Sequence, residues 1–420
     1  MSQYFSSKET RSSSDREQSL CSRLAPFIEY AKKECDYYAQ TLSDIDASKI
    51  NSRQMLATLP VTRKSDLIKL QAQHAPLAGL DAGSANISRL FQSPGPINEP
   101  ESTADDWWRL GSAFYAAGFR AGDKVQNCLS YHLTPGGFIL DSGARACGCV
   151  VIAAGPGQSE QQLDVIESLR PEGYCGTPSF LKILLDKAAA NNRDVSSITK
   201  ALVTGEAYMP ALREQFKQAG ILALQAYATA DVGLIAYESD PHDGLIIAED
   251  VIVEIVRPGT NQLVPAGEVG EVVVTSFNSD YPLIRFATGD LSAVLEGRSQ
   301  CGRTNMRIKG WMGRADQTTK IKGMFVHPEQ VEKVRLQHGA INKVRLVVSQ
   351  NQLQDQMLLL CEVDSAALAK EGTADSAEQL SALIAISLKN ITKLNGKVQL
   401  VAADSLQDDG KVIDDIREFA

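Results

Sequence analysis

The stretch "GDKVQNCLSYHLTPGGFILDSGARACGCVVIAAG", residues 122–155, decides the fold class of this chain. Residues 122–130 predict a turn followed by a strand. The segment "GFILDSGARACG" has the apolar spacing of a helix, and "CVVIAAG", residues 149–155, is apolar throughout, as in a buried strand. A strand, a helix and a second strand with short connections form a unit whose two strands are parallel. We therefore predict an α/β fold with a parallel sheet covered by helices on both faces.

The same alternation extends on both sides of this unit. Helices are predicted for residues 104–119 and 159–170, with Ser159 as the N-cap, and for "PSFLKILLDKAAANN" and "MPALREQFKQAG", which ends at Gly220. Strands are predicted for "KALVTG", residues 200–205, and for "ILALQAYA". The parallel sheet is therefore expected to continue to about residue 230.

Two later changes of pattern set the domain limits. Residues 249–277 contain two strand patterns joined by a Pro/Gly segment, which indicates an antiparallel β subdomain. After about residue 316 the chain predicts a helix with Pro328 in its first turn, a hairpin, an amphipathic helix and a closing strand. We predict a large N-terminal domain, residues 1–315, with parallel-rich sheets flanked by helices plus the β subdomain, and a small mobile α+β domain, residues 316–420.

Composition narrows the class of protein. The 420 residues carry a formal net charge of -9, and long phosphate polymers repel such a balance, so nucleic acid is an unexpected partner. No signal peptide and no membrane-spanning apolar run is recognised. The closest cysteines, Cys147 and Cys149, are interpreted as small buried thiols because no zinc-type spacing accompanies them. These features favour a cytoplasmic enzyme.

Polar clusters follow several strand patterns, where open α/β sheets bind ligands. They lie in "VTGEAYMP" (203–210), "AYATADVG" (226–233) and "DYPLIRFATGDLSAV" (280–294). In the last of these, Asp290 would accept two hydrogen bonds from a ribose diol. The plainer alternatives are polar loop caps and an Asx turn made by Asp290. Near the end of the chain, Lys411 follows Gly410 in a polar segment and suits an anion, or is a surface lysine.

The order and spacing of these segments resemble the adenylate-forming superfamily, above all the phenylacetate–coenzyme A ligases, over nearly the whole chain. "FATGDL" is similar to that family's YRTGDL motif, "GRADQTTKIKGMFVHPEQVE" to its hinge motif and "DGKVIDDIRE" to its terminal lysine motif. The resemblance implies that ATP and Mg²⁺ activate a carboxylic acid as an acyl-adenylate. The small domain then rotates and coenzyme A attacks to form a thioester. The implied acid is aryl or small, and relatives suggest a homodimer.

The resemblance also implies roles for individual residues. The expected nucleotide-binding residues are Ser93, Gly95, Gly205, Glu206, Tyr227, Ala228, Thr229, Asp290 and Arg314. The expected acyl-pocket residues are Tyr131, His132, Gly136 and Gly137, with His132 equally open to interpretation as a packed histidine. The catalytic residues would be Lys411 and Arg314, with Asp316 as hinge and Gly323 beside coenzyme A. Asp231 stands where the family has a glutamate that binds Mg²⁺.

Three departures from the family pattern stand out. The phosphate loop SSGTTGKP is replaced by "FQSPGPINEP", residues 91–100, which lacks the lysine and contains Glu99; its prolines predict a stiff loop that is neither helix nor strand. Asp231 is one methylene shorter than the family's glutamate, and Ala228 replaces a glycine. "SQCGRTN" keeps only Cys301 of a cysteine cluster that suits zinc in some relatives, so no zinc is expected.

Two other functions remain open on the sequence. An adenylating enzyme could pass its acyl group to a carrier protein or another acceptor instead of coenzyme A. The altered phosphate loop also leaves open a nucleotide-binding homologue without catalysis.

Overall fold

A computed structural model describes residues 3–83, 86–257, 260–315, 317, 319–326, 328–351, 354–363, 374–403, 405–406 and 412–417. The chain divides into two compact units, Met1–Met312 and Gly313–Phe419. This division lies three residues before the boundary predicted between residues 315 and 316.

The first unit combines helices with two sheets and a hairpin. Its helices are α1 (Ser13–Glu34), α2 (Asp36–Thr41), α3 (Arg53–Leu56), α4 (Leu67–Gln73), α5 (Gly111–Ala116), α6 (Gly136–Ala146), α7 (Ser159–Leu169), α8 (Pro178–Ala190) and α9 (Pro210–Gln218). Its strands are β1 (Thr62–Arg63), β2 (Ile87–Ser93), β3 (Ile97–Ser102), β4 (Lys124–Asn127), β5 (Val150–Ala153), β6 (Gly173–Gly176), β7 (Lys200–Val203), β8 (Leu222–Thr229), β9 (Gly233–Tyr237), β10 (Leu245–Ile247), β11 (Val251–Val256), β12 (Gly270–Ser276), β13 (Leu283–Ser292), β14 (Val294–Leu295) and β15 (Arg307–Ile308).

The central sheet has nine strands in the order β14-β15-β10-β9-β8-β7-β6-β4-β5. The run β8-β7-β6-β4-β5 is parallel throughout, which confirms the α/β fold predicted from residues 122–155. The predicted buried strand at 149–155 is partly wrong, because β5 lies at the edge of the sheet and Val150 is 56% exposed. An edge strand has only one neighbour, so an apolar run there need not be buried.

The sheet changes direction at the end of β8, where β9 returns antiparallel to it. Gly233 opens β9 with a φ of +78°, a left-handed conformation that favours glycine. A Cβ at this position would lie 2.8 Å from the backbone of Trp108, so the close approach also excludes a side chain. Tyr227 and Ala228 lie in β8, as predicted for "ILALQAYA", and Thr229 ends the strand although it was predicted only within the polar segment 226–233.

A second sheet has the order β1-β13-β12-β11, with β11, β12 and β13 antiparallel, and confirms the predicted β subdomain. Strand β13 is buried over almost its whole length, because both faces of this sheet are covered. Thr288 and Asp290 lie inside β13, where that strand has extra residues in its pairing with β12, so Asp290 is part of a strand and not of the Asx turn considered as an alternative.

The substituted phosphate loop is a β-hairpin. Strands β2 and β3 pair from Ile87 to Ser102 and enclose the turn 94–96, so the prediction that this segment is neither helix nor strand is wrong. The prolines fit this structure. Two of them lie in the turn, and the third lies in a two-stranded sheet, in which each strand pairs with only one other strand. The side-chain amide of Gln71 on α4 anchors β3, donating to the carbonyl of Asn98 and accepting from its N–H, both at 2.8 Å.

Helix α7 corrects the predicted cap. Ser159 is its first residue, and Gln158, with a φ of +45°, occupies the cap position. The Ser159 hydroxyl accepts a hydrogen bond from Lys187 of α8 at 2.9 Å, so it is not available for capping α7.

The second unit has its own core. Its elements are β16 (Thr319–Ile321), β17 (Met324–Val326), α10 (Pro328–Gln337), β18 (Ile341–Asn351), β19 (Gln354–Val363), α11 (Ala374–Thr392), β20 (Lys397–Ala402) and β21 (Ile413–Asp415). The order β20-β19-β18-β21 forms a mixed sheet whose apolar side packs on the two helices through residues such as Leu346, Val334 and Ile384. The predicted helices, hairpin and closing strand are confirmed. Among the described helices of both units, none is long and apolar enough to cross a membrane.

Candidate active site

Asp290 has both carboxylate oxygens held by aromatic side chains. The Tyr227 hydroxyl donates to Oδ2 at 2.8 Å, and the Trp311 indole N–H donates to Oδ1 at 3.0 Å. Asp290 is only 7% exposed, so these bonds fix its orientation in a shielded position. Tyr227 comes from the nine-stranded sheet and Asp290 from the four-stranded one, so the fold brings together two residues that the sequence placed in one nucleotide site.

Trp311 is a residue that the sequence reasoning missed. It lies in "GWMGR", two residues before the start of the segment that resembles the hinge motif. An indole in a charged, glycine-containing segment is a signal that could have been noticed, because buried tryptophan N–H groups need an acceptor.

The ends of β7 and β8 carry the other predicted adenine-site residues. Gly205 follows β7, is exposed and has a φ of +83°. The carboxylate of Glu206 accepts a hydrogen bond from the backbone N–H of Ser179 at 2.6 Å, so it caps the start of α8. The Thr229 hydroxyl accepts from the N–H of Val232 at 3.1 Å and holds the turn that joins β8 to β9. These contacts give Glu206 and Thr229 a structural role in the described chain.

The predicted acyl-pocket residues gather at the start of α6. Asn127 donates to the Tyr131 hydroxyl at 2.7 Å and to the Gly137 carbonyl at 2.8 Å, and Tyr131 donates to Asp141 at 3.1 Å. A Cβ on Gly137 would come within 2.8 Å of the Ser130 carbonyl and the Tyr131 ring, so glycine is required there. Gly136, next to it, opens α6, where a Cβ would meet Leu129 at 3.4 Å.

His132 is exposed, which excludes the interpretation as a packed histidine. Its neighbour Leu133 accepts a hydrogen bond through its carbonyl from the N–H of Gln92 at 2.9 Å. This bond ties the β2–β3 hairpin to the loop that carries Tyr131 and His132.

Aromatic rings connect the same two elements. The ring of Phe138 lies 5.2 Å from that of Tyr131 and 5.3 Å from that of Phe91 on the hairpin. The Arg89 guanidinium lies over the Phe138 ring at 4.7 Å. Phe91, Phe138 and Arg89 were not among the predicted site residues; without a tertiary fold, no pattern in the sequence links the hairpin to α6.

A buried charged cluster lies around Asp231. The Lys64 ammonium is 2.5 Å from Asp231 Oδ2, and the Asp231 side chain has no exposed surface. The other carboxylate oxygen, Oδ1, is buried without a hydrogen-bond partner. Lys64, in "LPVTRKSDL", was not among the residues predicted for the site.

Glu99, the residue that made the substituted loop unsuited to phosphate, is fully buried in the same region. It accepts hydrogen bonds from the backbone N–H of Ser93, at 3.2 Å, and from the Ser93 hydroxyl. Burial, reinforced by the nearby Asp231, raises the pKa of Glu99 to about 8, although Lys64 and the hydrogen bonds from Ser93 oppose the rise. The carboxyl is therefore mostly protonated at neutral pH, and it adds little negative charge to the hairpin.

The raised pKa of Glu99 predicts a pH-dependent stability that Glu99→Gln removes. The pKa of the Glu99 carboxyl is higher in the folded chain than in the unfolded chain, so its protonation stabilises the fold. This contribution to the free energy of unfolding is complete below about pH 4 and is lost as the pH rises through about 8. The slope is at most about 1.4 kcal/mol per pH unit. We expect the thermal unfolding midpoint of the wild type to fall, relative to that of E99Q, between pH 5 and pH 8.5.

Thermal melts of both proteins across this pH range test the prediction. Glu214→Gln is the matched control, because Glu214 is exposed on α9. Parallel pH profiles for the wild type and E99Q would contradict a buried, protonated Glu99.

Four predicted residues belong to the second unit. Arg314 is half-buried near its start, and Gly323 lies in the β16–β17 turn with a φ of +83°. A Cβ on Gly323 would meet no atom within 4 Å. Asp316 and Lys411 lie outside the described residues, so their proposed roles rest on the motifs alone.

The segment that replaces the cysteine cluster of some relatives binds the start of the chain. The guanidinium of Arg303 lies 2.5 Å from the carboxylate of Glu9, which is buried and also accepts a hydrogen bond from Tyr237 at 3.2 Å. Within the described part of the chain, no three histidine, cysteine or acidic side chains group as metal ligands. The segment therefore has a packing role, holding the 3-10 helix Ser7–Thr10 that contains Glu9.

Several known proteins are similar to this chain in sequence or in fold. The model of the AMP-binding enzyme family matches residues 105–278. The chain is 29% identical to a phenylacetate-coenzyme A ligase of Thermus thermophilus, over 75% of this chain and 74% of that protein. It is 29% identical to a phenylacetate-coenzyme A ligase of Pseudomonas putida, over 77% and 76% of the two chains.

A solved structure has the same fold over the full length. It is a 2-hydroxyisobutyryl-CoA ligase in complex with 2-HIB-AMP and CoA; the TM-score is 0.80 and the identity 22%, and the match covers 100% of this chain and 93% of that one. Residues 105–278 therefore match the AMP-binding enzyme family, and about three quarters of the chain is similar to phenylacetate–coenzyme A ligases.

Proposed function

We propose that this chain is an ATP-dependent carboxylic acid–coenzyme A ligase that forms an acyl-adenylate and then a thioester. The observation that carries the proposal is the buried carboxylate of Asp290, held by Tyr227 and Trp311 in the segment that resembles YRTGDL. A carboxylate in a fixed orientation is suited to accept hydrogen bonds from the two hydroxyls of a ribose. Similarity to phenylacetate–coenzyme A ligases over about three quarters of the chain supports the same activity.

In this proposal, the strand ends around Asp290 bind the rest of the nucleotide. An added Cβ on Gly205 would contact only Thr177, at 3.7 Å, so there is space beside this residue that suits an adenine ring. Thr229, at the end of β8, faces the α-phosphate in the family pattern. The nucleotide is thus positioned by residues that the β-strands hold rigidly.

The acid is proposed to be an aryl acid, bound near the start of α6. The rings of Tyr131, Phe138 and Phe91 form a contiguous aromatic group there, and aromatic faces pack well against an aromatic ligand. The Gly137 backbone lies against the Tyr131 ring, so a side chain larger than hydrogen does not fit at this position.

Mg²⁺ is proposed to accompany ATP, and the residues present fit it. Asp231 offers a buried carboxylate oxygen without a hydrogen-bond partner, and carboxylate oxygens are ligands that Mg²⁺ prefers. When bound with ATP, the ion would balance charge on the phosphates. This chain's own contribution is to hold the Asp231 carboxylate in place.

The second unit is proposed to supply the remaining catalytic groups. By motif match, Lys411 bridges the acyl carboxylate and the α-phosphate, and Arg314 contacts the nucleotide. Asp316 acts as the hinge residue and Gly323 lies near the path of coenzyme A. Since ATP and coenzyme A are cytoplasmic substrates, we place the enzyme in the cytoplasm, with a homodimer as the suggested assembly.

A pyrophosphate-exchange screen over aryl and small alkyl acids tests the function. We expect exchange with at least one acid, and with coenzyme A present we expect AMP and a thioester. Exchange without a thioester would favour a carrier protein or another acceptor. Nucleotide binding by calorimetry, without turnover of any acid, would overturn the proposal and favour a binding protein.

A further inference from the structure

The β2–β3 hairpin lacks a cation where the family's phosphate loop has a lysine. Between Lys69 and Lys124 the sequence contains no lysine, and the arginine on the hairpin, Arg89, pairs with Glu101 at 2.7 Å and lies over Phe138. The triphosphate of ATP carries several negative charges, so a site without a replacement cation would bind it weakly.

Lys64 brings a positive charge to this region from a different part of the chain. It lies immediately after β1, and its ammonium forms an ion pair with Asp231 at 2.5 Å. The Lys64 side chain is 22% exposed, whereas the Asp231 side chain has no exposed surface. Lys64 is therefore the more exposed residue of the pair.

The ion pair leaves one oxygen of the Asp231 carboxylate without a hydrogen-bond partner. Lys64 engages Asp231 Oδ2, and Oδ1 stays buried without a partner. Lys64 offsets part of the cost of burying the Asp231 carboxylate, and carboxylate oxygens are ligands that Mg²⁺ prefers. Aspartate is shorter than the family's glutamate, so its carboxylate extends less far toward a metal. By pairing with Oδ2, Lys64 orients the carboxylate and compensates for the shorter side chain.

We propose that Lys64 replaces the lysine of the phosphate loop: it acts as a positioning residue that orients the Asp231 carboxylate for the metal and supplies the positive charge that the hairpin lacks. This inference rests on the proposed function and adds a residue to its ATP site. Lys64 acts through Asp231, 167 residues away along the chain, and not as a catalytic group.

The test measures binding by calorimetry, without turnover. Lys64→Met is expected to weaken binding of a non-hydrolysable ATP analogue with Mg²⁺ about 10- to 100-fold, because one partner of a buried pair is removed. Binding of AMP, whose ribose is held at Asp290, should change less than about twofold, within the additivity of separate sites. Lys64→Arg should keep most of the affinity for the analogue. Lys69→Met, on the exposed side of α4, is the matched control.

The double variant K64M/D231N covers the case in which K64M alone does not fold, because it removes both charges of the pair. We expect it to bind AMP normally and to bind the ATP analogue with no gain from Mg²⁺. Equal losses of AMP and Mg²⁺–analogue binding in K64M, or a wild-type Mg²⁺ response in the double variant, would overturn the role of Lys64. If the wild type itself bound no nucleotide, the proposed function would fail first.

Discussion

Replacing Lys411 by alanine is expected to slow adenylate formation about 10²- to 10³-fold, the loss typical of one group that stabilises developing charge in a transition state. The motif "DGKVIDDIRE" implies that this lysine bridges the acyl carboxylate and the α-phosphate. Two negatively charged groups approach each other in that step, and an ammonium between them lowers the barrier more than it strengthens ground-state binding. Nucleotide affinity should therefore change little.

Pyrophosphate exchange with the best acid measures the rate, and calorimetric titration with AMP measures the affinity. Lys397→Ala is the matched control, because Lys397 is an exposed lysine on β20 of the same unit. If K411A exchanged pyrophosphate at the wild-type rate, the assignment of Lys411 would be wrong. If it lost rate and AMP affinity together, Lys411 would bind nucleotide and not act chiefly on the reaction.

Periodicity predicts elements well where one element buries one face. Helix α8 and the strands β7 and β8 were predicted because their apolar residues recur at regular intervals. Strand β6 was missed, although it is wholly buried. Two of its four residues are glycines, and a Cβ on Gly173 would collide with the Phe119 ring. The Phe119 ring fills the space that a side chain at residue 173 would occupy, so this position is glycine. With glycine at two of four positions, the strand lacks the apolar pattern by which strands are predicted.

Residues of the site were predictable only where a motif contains them. Tyr227 and Asp290 each lie in a recognisable segment, and the structure joins their side chains at 2.8 Å. Lys64 and Asp231 are equally close, but their pairing depends on how β1 and β8 are placed in two different sheets. An ion pair between residues far apart in the sequence produces no local sequence pattern. A lysine that is missing at one position can therefore be replaced by a lysine elsewhere without any sign of this in the sequence.

The hairpin shows how a tertiary environment changes the meaning of a residue. In the sequence, Glu99 is a negative charge in a loop expected to bind phosphate. In the fold it is buried beside Asp231, and this raises its pKa to about 8. The proton that Glu99 then carries at neutral pH removes the charge that made the segment unsuited to phosphate. The composition of the segment shows neither that Glu99 is buried nor that Asp231, 132 positions later in the chain, lies near it.

Replacing Asp290 by asparagine is expected to raise the KM for ATP about 10- to 100-fold, because charge-assisted hydrogen bonds to the ribose are lost, each worth about 1.5–3 kcal/mol. Asparagine keeps the shape of the side chain and one acceptor oxygen, so the packing around Tyr227 and Trp311 should survive. Initial rates of pyrophosphate exchange at varied ATP measure the effect. Asp240→Asn, at an exposed position in the same unit, controls for the loss of a carboxylate.

Tyr227→Phe separates two explanations of that result. It removes the hydroxyl that donates to Asp290 but leaves the carboxylate charged. If Asp290 binds the ribose directly, Y227F should raise the KM for ATP less than D290N does, because only the orientation of the carboxylate is loosened. Equal effects of the two variants would mean that Asp290 serves mainly to hold Tyr227 and Trp311. In that case the aromatic residues, and not the carboxylate, would form the nucleotide contact.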